Sequence, residues 1–158
     1  MRSVGTARRT YLVVIDETEE CRIALRYAAQ RAAHVGGALL LLLVVRPPDF
    51  VEWGGVQAAM RDEAMTKADA LLARLSAEAE AHSELTPTTL LREGEVTEQV
   101  LDVIDEDRSI AMLVLATATK GAPGPLIAFF TGERAADLPC LVAIVPGGLS
   151  ERELDALT

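Results

Sequence analysis

The stretch TYLVVIDETEECRIALRYAAQRAAHVGGALLLLLVV, residues 10–45, decides the fold. Its first part, TYLVVID (10–16), is β-branched and apolar, which is typical of a strand buried on both faces. Apolar residues then recur at helical spacing until Gly36 and Gly37 end the pattern; they are Cys21, Ala24, Leu25, Ala28, Ala32 and Val35. The run ALLLLLVV (38–45) predicts a central strand, because a half-exposed strand does not tolerate a continuous apolar sequence. The stretch therefore predicts a strand-helix-strand unit of a parallel sheet.

The rest of the chain continues this alternation. Its pattern predicts, in order, a long helix over 56–81, a weaker strand over 87–91, a helix over 95–104, a strand over 109–116, a short helix reaching about 137 and a last strand over 140–146. Strands alternating with helices through short loops indicate an α/β fold with a doubly wound parallel sheet and helices on both faces. We expect a single domain over residues 1–158, with a core of 9–146 and a C-terminal tail of 147–158. In the tail, Ser150-x-x-Glu153 is a capping box that predicts one short helix.

The predicted sheet also indicates where a ligand would bind. Ligands of doubly wound sheets occupy the carboxyl ends of the strands, where the winding direction reverses. If the strand order is 3-2-1-4-5, the reversal lies between the strands that end at Asp16 and at Ala116. The segment VLATATKGAPGPLIAFF (114–130) is therefore one wall of the predicted crevice.

Composition and charge exclude several classes of partner. The net charge is −9, and the sequence has no basic cluster beyond Arg8 and Arg9, so we expect no nucleic-acid partner. The most apolar run, 39–45, is less than half the length needed to cross a bilayer, so we expect no membrane association. Cys21 and Cys140 lack the spacing of metal ligands, and a domain of this size needs no disulfides. We therefore expect no metal and a cytoplasmic location.

Three segments of the sequence resemble the universal stress proteins. They are VVIDETEECRIALRYAAQRAAHVGGALLLLLVV near the start, VLATATKGAPGPLIAFFTGER in the crevice wall, and Pro139-Cys140 followed by LVAIV at the last strand. The likeness extends over residues 9–146. It implies a five-stranded sheet of order 3-2-1-4-5 and usually a dimer. In one subgroup it also implies an ATP or AMP site with the pattern G-x2-G-x9-G-[ST].

The chain departs from that nucleotide pattern at every position. In the ungapped register the three glycines fall on Ala116, Thr119 and Phe129, and the Ser or Thr falls on Phe130. Glycines in such a loop let backbone amides approach phosphates, and the hydroxyl adds a donor, whereas phenylalanine does neither. A shifted register on Gly121 and Gly124 also fails, because the next glycine comes too early, at Gly132. The chain is therefore expected to resemble the subgroup without an intact ATP-binding motif.

The candidate site residues have structural alternatives. The full set of nucleotide-binding candidates is Val14, Ile15, Asp16, Val44, Ala116, Thr117, Thr119, Lys120, Gly121 and Gly124. Asp16 either lies near a nucleotide, through Mg²⁺, or serves the turn between strand and helix. Val44 matches the position beside adenine in nucleotide-binding members, and it also suits a buried strand. The hydroxyls and ammonium group of Thr117, Thr119 and Lys120 are either an anion site or ordinary loop polarity.

Catalytic groups are scarce in this sequence. Neither His34 nor His82 is placed by the predicted fold beside a nucleophile at the crevice, and Cys21 lies on the apolar stripe of its helix. The sequence favours a non-catalytic regulatory or stress-response protein over an enzyme, with no cofactor. The alternative is an adenine-nucleotide-binding protein or slow ATPase that takes ATP or AMP with Mg²⁺ through a modified loop.

The last strand predicts self-association. It is an edge strand in the order 3-2-1-4-5, and it is apolar and uncharged, whereas exposed edges normally carry charges. We expect a homodimer through this edge; its interface residues are Leu141, Val142, Ala143, Ile144 and Val145. Protein partners beyond a second copy are not identified by the sequence.

Overall fold

A computed structural model describes residues 8–47 and 55–158. Its five strands form one parallel sheet of order β3-β2-β1-β4-β5. The elements in chain order are β1 Thr10–Val14, α1 Glu19–His34, β2 Ala38–Val45, α2 Val56–Ser83, β3 Thr88–Glu93, α3 Val96–Glu106, β4 Ile110–Ala116, α4 Pro125–Thr131, a 3-10 helix Glu133–Asp137, β5 Leu141–Val145 and α5 Glu151–Ala156. The doubly wound five-stranded sheet and its strand order are confirmed.

The sheet has a hydrophobic core on each face because successive strand residues point to opposite sides. In β1, Tyr11 and Val13 face the core shared with α1 and α2, while Leu12 faces the core shared with α3 and α4. β2 alternates in the same way and has five consecutive buried leucines, Leu39–Leu43. This two-sided burial is why the strand sequences are continuously apolar.

Most element boundaries lie within one or two residues of the predicted ones, and three differences affect the description of the fold. β1 ends at Val14, although the amide of Ile15 still donates to the carbonyl of Leu42 at 2.7 Å. β3 extends to Glu93, two residues beyond the predicted end. The predicted short helix reaching about 137 is interrupted at Gly132, whose extended backbone separates α4 from the 3-10 helix.

The outer edge of the sheet at β5 exposes apolar side chains. Leu141 is 67% exposed and Ile144 is 40% exposed, whereas Val145 is buried. Val142 and Ala143 are half-buried and pack against the two cores. The strand predicted as an interface therefore presents two large apolar side chains to solvent in the single chain.

The tail forms the predicted capped helix and packs against α1. The hydroxyl of Ser150 accepts a hydrogen bond from the amide of Glu153 at 3.2 Å, which starts α5. Leu154 is fully buried in the core under α1. Beside it, the Arg26 guanidinium donates two hydrogen bonds of 3.0 Å to the carboxylate of Asp155. The capping box thus begins a helix that extends the core rather than a solvated tail.

None of the helices in the described ranges has the length and hydropathy needed to span a membrane.

Candidate functional site

A cleft of about 380 Å³ opens at the carboxyl ends of β1, β2 and β4, where the winding of the sheet reverses. α1 borders it on one side, and α3, α4 and the loop between β4 and α4 border it on the other. The lining residues are Val14, Ile15, Asp16, Thr18, Glu20, Cys21, Ala24, Leu43, Val44, Val96, Val114, Leu115, Ala116, Ala118, Ala122, Gly124, Pro125, Leu126 and Ile127. Its position is the one that the parallel topology predicts for a ligand site.

The turn from β1 into α1 carries the polar side of the cleft. Asp16 Oδ1 accepts hydrogen bonds from the amide of Thr18 at 2.8 Å and from its hydroxyl at 2.5 Å. The Thr18 hydroxyl in turn accepts a hydrogen bond from the amide of Cys21 at 3.2 Å and caps α1. Asp16 therefore stabilises the turn between β1 and α1, which is one of the two roles that the sequence left open. Its carboxylate also lines the cleft.

The thiol of Cys21 lies at the wall of the cleft between two backbone groups. Its Sγ donates to the carbonyl of Val14 at 3.8 Å and accepts from the amide of Asp16 at 3.4 Å. Burial, and to a lesser extent the nearby Asp16 carboxylate, raises the pKa of Cys21 to about 12. The thiol is therefore protonated at neutral pH and is a poor nucleophile, because thiol reactivity requires the thiolate.

The loop after β4 turns most of its polar groups away from the cleft. Thr117 connects β4 to the tail, since its amide donates to the carbonyl of Val145 at 3.0 Å and its hydroxyl accepts from the amide of Gly147 at 3.1 Å. Thr119, Lys120 and Gly121 are exposed and are not among the residues that line the cleft. The polar groups predicted to hold an anion are thus not gathered around the cavity.

α4 begins at the cleft and buries its aromatic pair. Gly124 is its N-cap and Pro125 its first residue, a position that suits proline because it needs no amide hydrogen. Phe130 is fully buried in the core under α3 and α4, and Phe129 is half-buried beside it. Their rings pack edge to face with centroids 5.0 Å apart and planes at 78°. The positions that hold glycine and hydroxyl in the nucleotide pattern therefore form part of the hydrophobic packing.

The structure brings together six of the ten predicted site residues. They are Val14, Ile15, Asp16, Val44, Ala116 and Gly124. Ala118, Ala122 and the first turn of α4 lie in the segment 114–130 that the sequence predicts as a wall of the crevice, whereas sequence reasoning missed the contributions of Thr18, Cys21 and Val96. Thr18 had a local signal as the helix N-cap after a strand. Val96 had none, because it belongs to a helix whose approach to the cleft depends on packing across the sheet.

In the part of the chain that the structure describes, the charged side chains that line the cleft are both acidic, Asp16 and Glu20. The nearest arginines on α1 already have acidic partners: Arg22 binds Glu78 at 2.9 Å, and Arg26 binds Asp155. Within the ranges 8–47 and 55–158, no group of three or more His, Cys, Asp or Glu residues is arranged to hold a metal ion. The cleft therefore presents negative charge and apolar surface to a ligand.

Both histidines lie away from this cleft. They line a second, open hollow of about 480 Å³ between the C-terminal ends of α1 and α2 and the tail. His34 Nδ1 lies 2.9 Å from the carbonyl oxygen of Thr158, and His82 Nε2 lies 3.8 Å from Glu78. Neither imidazole is placed to act as an acid or base on a ligand in the cleft.

Comparison with known proteins places these features in a family. The family model of the universal stress proteins matches residues 7–146. A structure of universal stress protein UspA from Lactobacillus plantarum is 18% identical, with a TM-score of 0.70 over 89% of this chain and 99% of its own. A universal stress protein from Archaeoglobus fulgidus in complex with dAMP is 14% identical, with a TM-score of 0.59 over 89% and 98%. A universal stress protein in complex with cAMP is 18% identical, with a TM-score of 0.58 over the same shares. No curated protein matches the chain.

Proposed function

Because this chain belongs to the universal stress protein family, we propose that it is a regulatory or stress-response member without catalytic activity and without a high-affinity ATP site. It falls in the subgroup that lacks an intact glycine motif. The observation that carries the proposal is Phe130, which stands where the motif has Ser or Thr and is fully buried. A side chain in the core cannot donate a hydrogen bond to a phosphate in the cleft.

The residues of the motif positions do not fit a triphosphate. Ala116 and Phe129 add carbon atoms where glycines would let backbone amides approach the phosphates. Pro125, the first residue of α4, has no amide hydrogen to donate. Each strong phosphate acceptor that loses water without gaining a partner costs roughly 1–3 kcal/mol. Two or three such losses remove most of the affinity that the rest of the molecule could supply.

The titratable groups of the cleft also support a non-catalytic role. A general acid or base needs a pKa near the working pH, and a nucleophile needs an activating partner. The Cys21 thiol, with its pKa raised to about 12, has backbone groups as its hydrogen-bond partners rather than a base. One oxygen of Asp16 is committed to the Thr18 cap. These groups hold the turn together.

The second candidate function is binding of an adenine nucleotide, ATP or AMP with Mg²⁺. It is favoured by the two structural neighbours solved with cAMP and dAMP and by the presence of Val14, Asp16 and Val44 in one cleft. A monophosphate presents fewer oxygens to the apolar wall, so AMP should lose less affinity than ATP. If Mg²⁺ linked a phosphate to Asp16, Asp16→Asn would weaken nucleotide binding in Mg²⁺ while keeping the oxygen that accepts from Thr18.

The deciding experiment is calorimetric titration of ATP and AMP, each with Mg²⁺. We expect ATP to bind with a dissociation constant on the order of millimolar, which corresponds to about −4 kcal/mol. The matched variant is Ala116→Gly/Thr119→Gly/Phe129→Gly, which restores the glycines and keeps Phe130. Replacing Phe130 as well would cost about 3–5 kcal/mol of stability and confuse the result.

The triple variant should bind ATP at least tenfold more tightly than the wild type. Ala128→Gly, an exposed α4 substitution outside the motif, controls for loosening of that helix. Micromolar ATP binding by the wild type would overturn the proposal and favour the nucleotide-binding alternative.

Self-association through β5 is the second part of the proposal. The exposed side chains of Leu141 and Ile144, on an edge strand without charge, support a homodimer that covers them. Burying two such side chains would stabilise the dimer by roughly 1.5–3 kcal/mol each when complete. We also expect a cytoplasmic location and protein partners other than the second copy.

A further inference from the structure

We propose that the cleft binds a small molecule with an apolar body, no anionic group, and an N–H or O–H donor that faces Asp16 and Glu20. This inference rests on the proposed function in one respect only, namely that the cleft does not hold a triphosphate. It goes further because it names the chemistry that the cleft selects in place of phosphate.

Most side chains that line the cleft are apolar. Fourteen of its nineteen lining residues have purely hydrocarbon side chains, contributed by three strands, three helices and two connecting segments. Val14 and Val44 form part of the wall at the strand ends, and Leu126 and Ile127 of α4 lie among the lining residues with Val96 of α3. A volume of about 380 Å³ lies in the usual range for small-molecule sites, which are mostly apolar with a few polar groups that set orientation.

The polar groups are confined to one side, in the β1–α1 turn. The Thr18 hydroxyl and the Cys21 thiol already donate and accept within the turn. Among the described residues, the second carboxylate oxygen of Asp16 and the carboxylate of Glu20 have no hydrogen-bond or ion-pair partner. Carboxylate oxygens only accept hydrogen bonds, so the complementary group of the ligand is a donor.

The negative charge of the cleft also disfavours an anionic ligand. A phosphate or carboxylate in the cleft would meet the two acids of the lining, while Glu17 adds negative charge on the same exposed turn. The cations Arg22 and Arg26 are held by Glu78 and Asp155, while Lys120 and Arg46, which directly follows β2, lie outside the lining. Like charges in a partly enclosed, apolar site repel more strongly than in water. A neutral or cationic ligand avoids this penalty and gains the acceptors.

Two fluorescent probes that differ in one group isolate this selection. N-phenyl-1-naphthylamine is neutral and has one N–H donor. 8-Anilinonaphthalene-1-sulfonate has the same ring system and the same donor but carries an additional sulfonate group. Titrated into the folded chain, the neutral probe should bind at least tenfold more tightly than the sulfonate. In Asp16→Asn/Glu20→Gln this ratio should fall at least threefold, since the negative charge is removed and the shape is kept.

Blocking variants locate the bound probe. Ala118→Phe and Val44→Phe, made separately and checked for folding by circular dichroism, should each weaken binding of the neutral probe at least fivefold. Ala73→Phe, on the exposed surface of α2, should leave it unchanged. Equal or tighter binding of the sulfonate would overturn the inference. Binding that survives both blocking variants, or no binding of the neutral probe, would do so as well.

Competition with ATP separates this inference from the proposed function. Failure of the neutral probe to bind, with ATP still millimolar, would overturn the inference alone. Micromolar ATP binding without displacement of the probe would overturn the proposed function alone. Micromolar ATP that displaces the probe would overturn both.

Discussion

At the scale of single residues, Gly147 lies where the chain leaves β5 and crosses the end of β4. A Cβ atom added there would lie 2.0 Å from the carbonyl oxygen of Thr117, whereas one added to Gly148 would meet nothing within 4 Å. Gly147→Ala should therefore lower the free energy of unfolding by about 1–3 kcal/mol, because the backbone must shift to admit the methyl group. Gly148→Ala should stay within about 0.5 kcal/mol. Urea denaturation of the two variants makes the comparison, and equal stabilities would contradict it.

The second residue-scale prediction concerns the thiol of Cys21. Its pKa in the folded chain is raised to about 12 from an ordinary value of 9.0, so the folded state keeps a proton that the unfolded state loses. The stability that this provides is fully present below pH 9 and is lost as the pH rises through about 12. Between pH 8 and pH 10 the free energy of unfolding should fall by about 1 kcal/mol more in the wild type than in Cys21→Ser, whose hydroxyl does not ionise. Equal pH dependence in the two proteins would show that Cys21 does not carry this effect.

At the scale of elements, α5 is attached to the fold mainly by one leucine. Leu154 is fully buried against α1, while Leu157 is 61% exposed. Leu154→Ala should lower the free energy of unfolding by about 2–5 kcal/mol, since a methyl group replaces a packed side chain. Leu157→Ala should change it by about 0.5 kcal/mol or less. Denaturation gives the energies, and amide hydrogen exchange in α5 should accelerate only in Leu154→Ala; unchanged exchange there would contradict the packing of this helix.

The arrangement of α4 also belongs to the element scale. α4 follows the N-cap Gly124, begins at Pro125 and buries Phe130 in the core that it shares with α3. The same packing that stabilises the helix removes the hydroxyl position of the nucleotide motif from the cleft. Under the proposed function, the stability of α4 and the loss of phosphate binding have one cause at this position.

At the scale of the whole molecule, the exposed edge of β5 predicts the oligomeric state. Light scattering at micromolar concentration should give the mass of a dimer for the wild type. Leu141→Lys and Ile144→Lys each place a charge on a side chain that is exposed in the single chain. Each should shift the mass towards the monomer without lowering the stability of the fold. Leu157→Lys, at an apolar and exposed position directly after α5, is the control and should remain dimeric. A monomeric wild type would overturn the expectation.

The sequence by itself determined the elements, because burial and capping leave local patterns. The continuous apolar run of β2 required cover on both faces, Gly36 and Gly37 ended α1, and Ser150 with Glu153 started α5. The strand order came from family resemblance, since periodicity does not record which strands are neighbours. Only the tertiary structure decided that Val96 reaches the cleft, that Thr119 and Lys120 do not line it, and that Leu154 packs on α1. These features depend on contacts between residues that are far apart in the chain. They are set by the packing of helices and strands against one another and not by the sequence pattern within any one element.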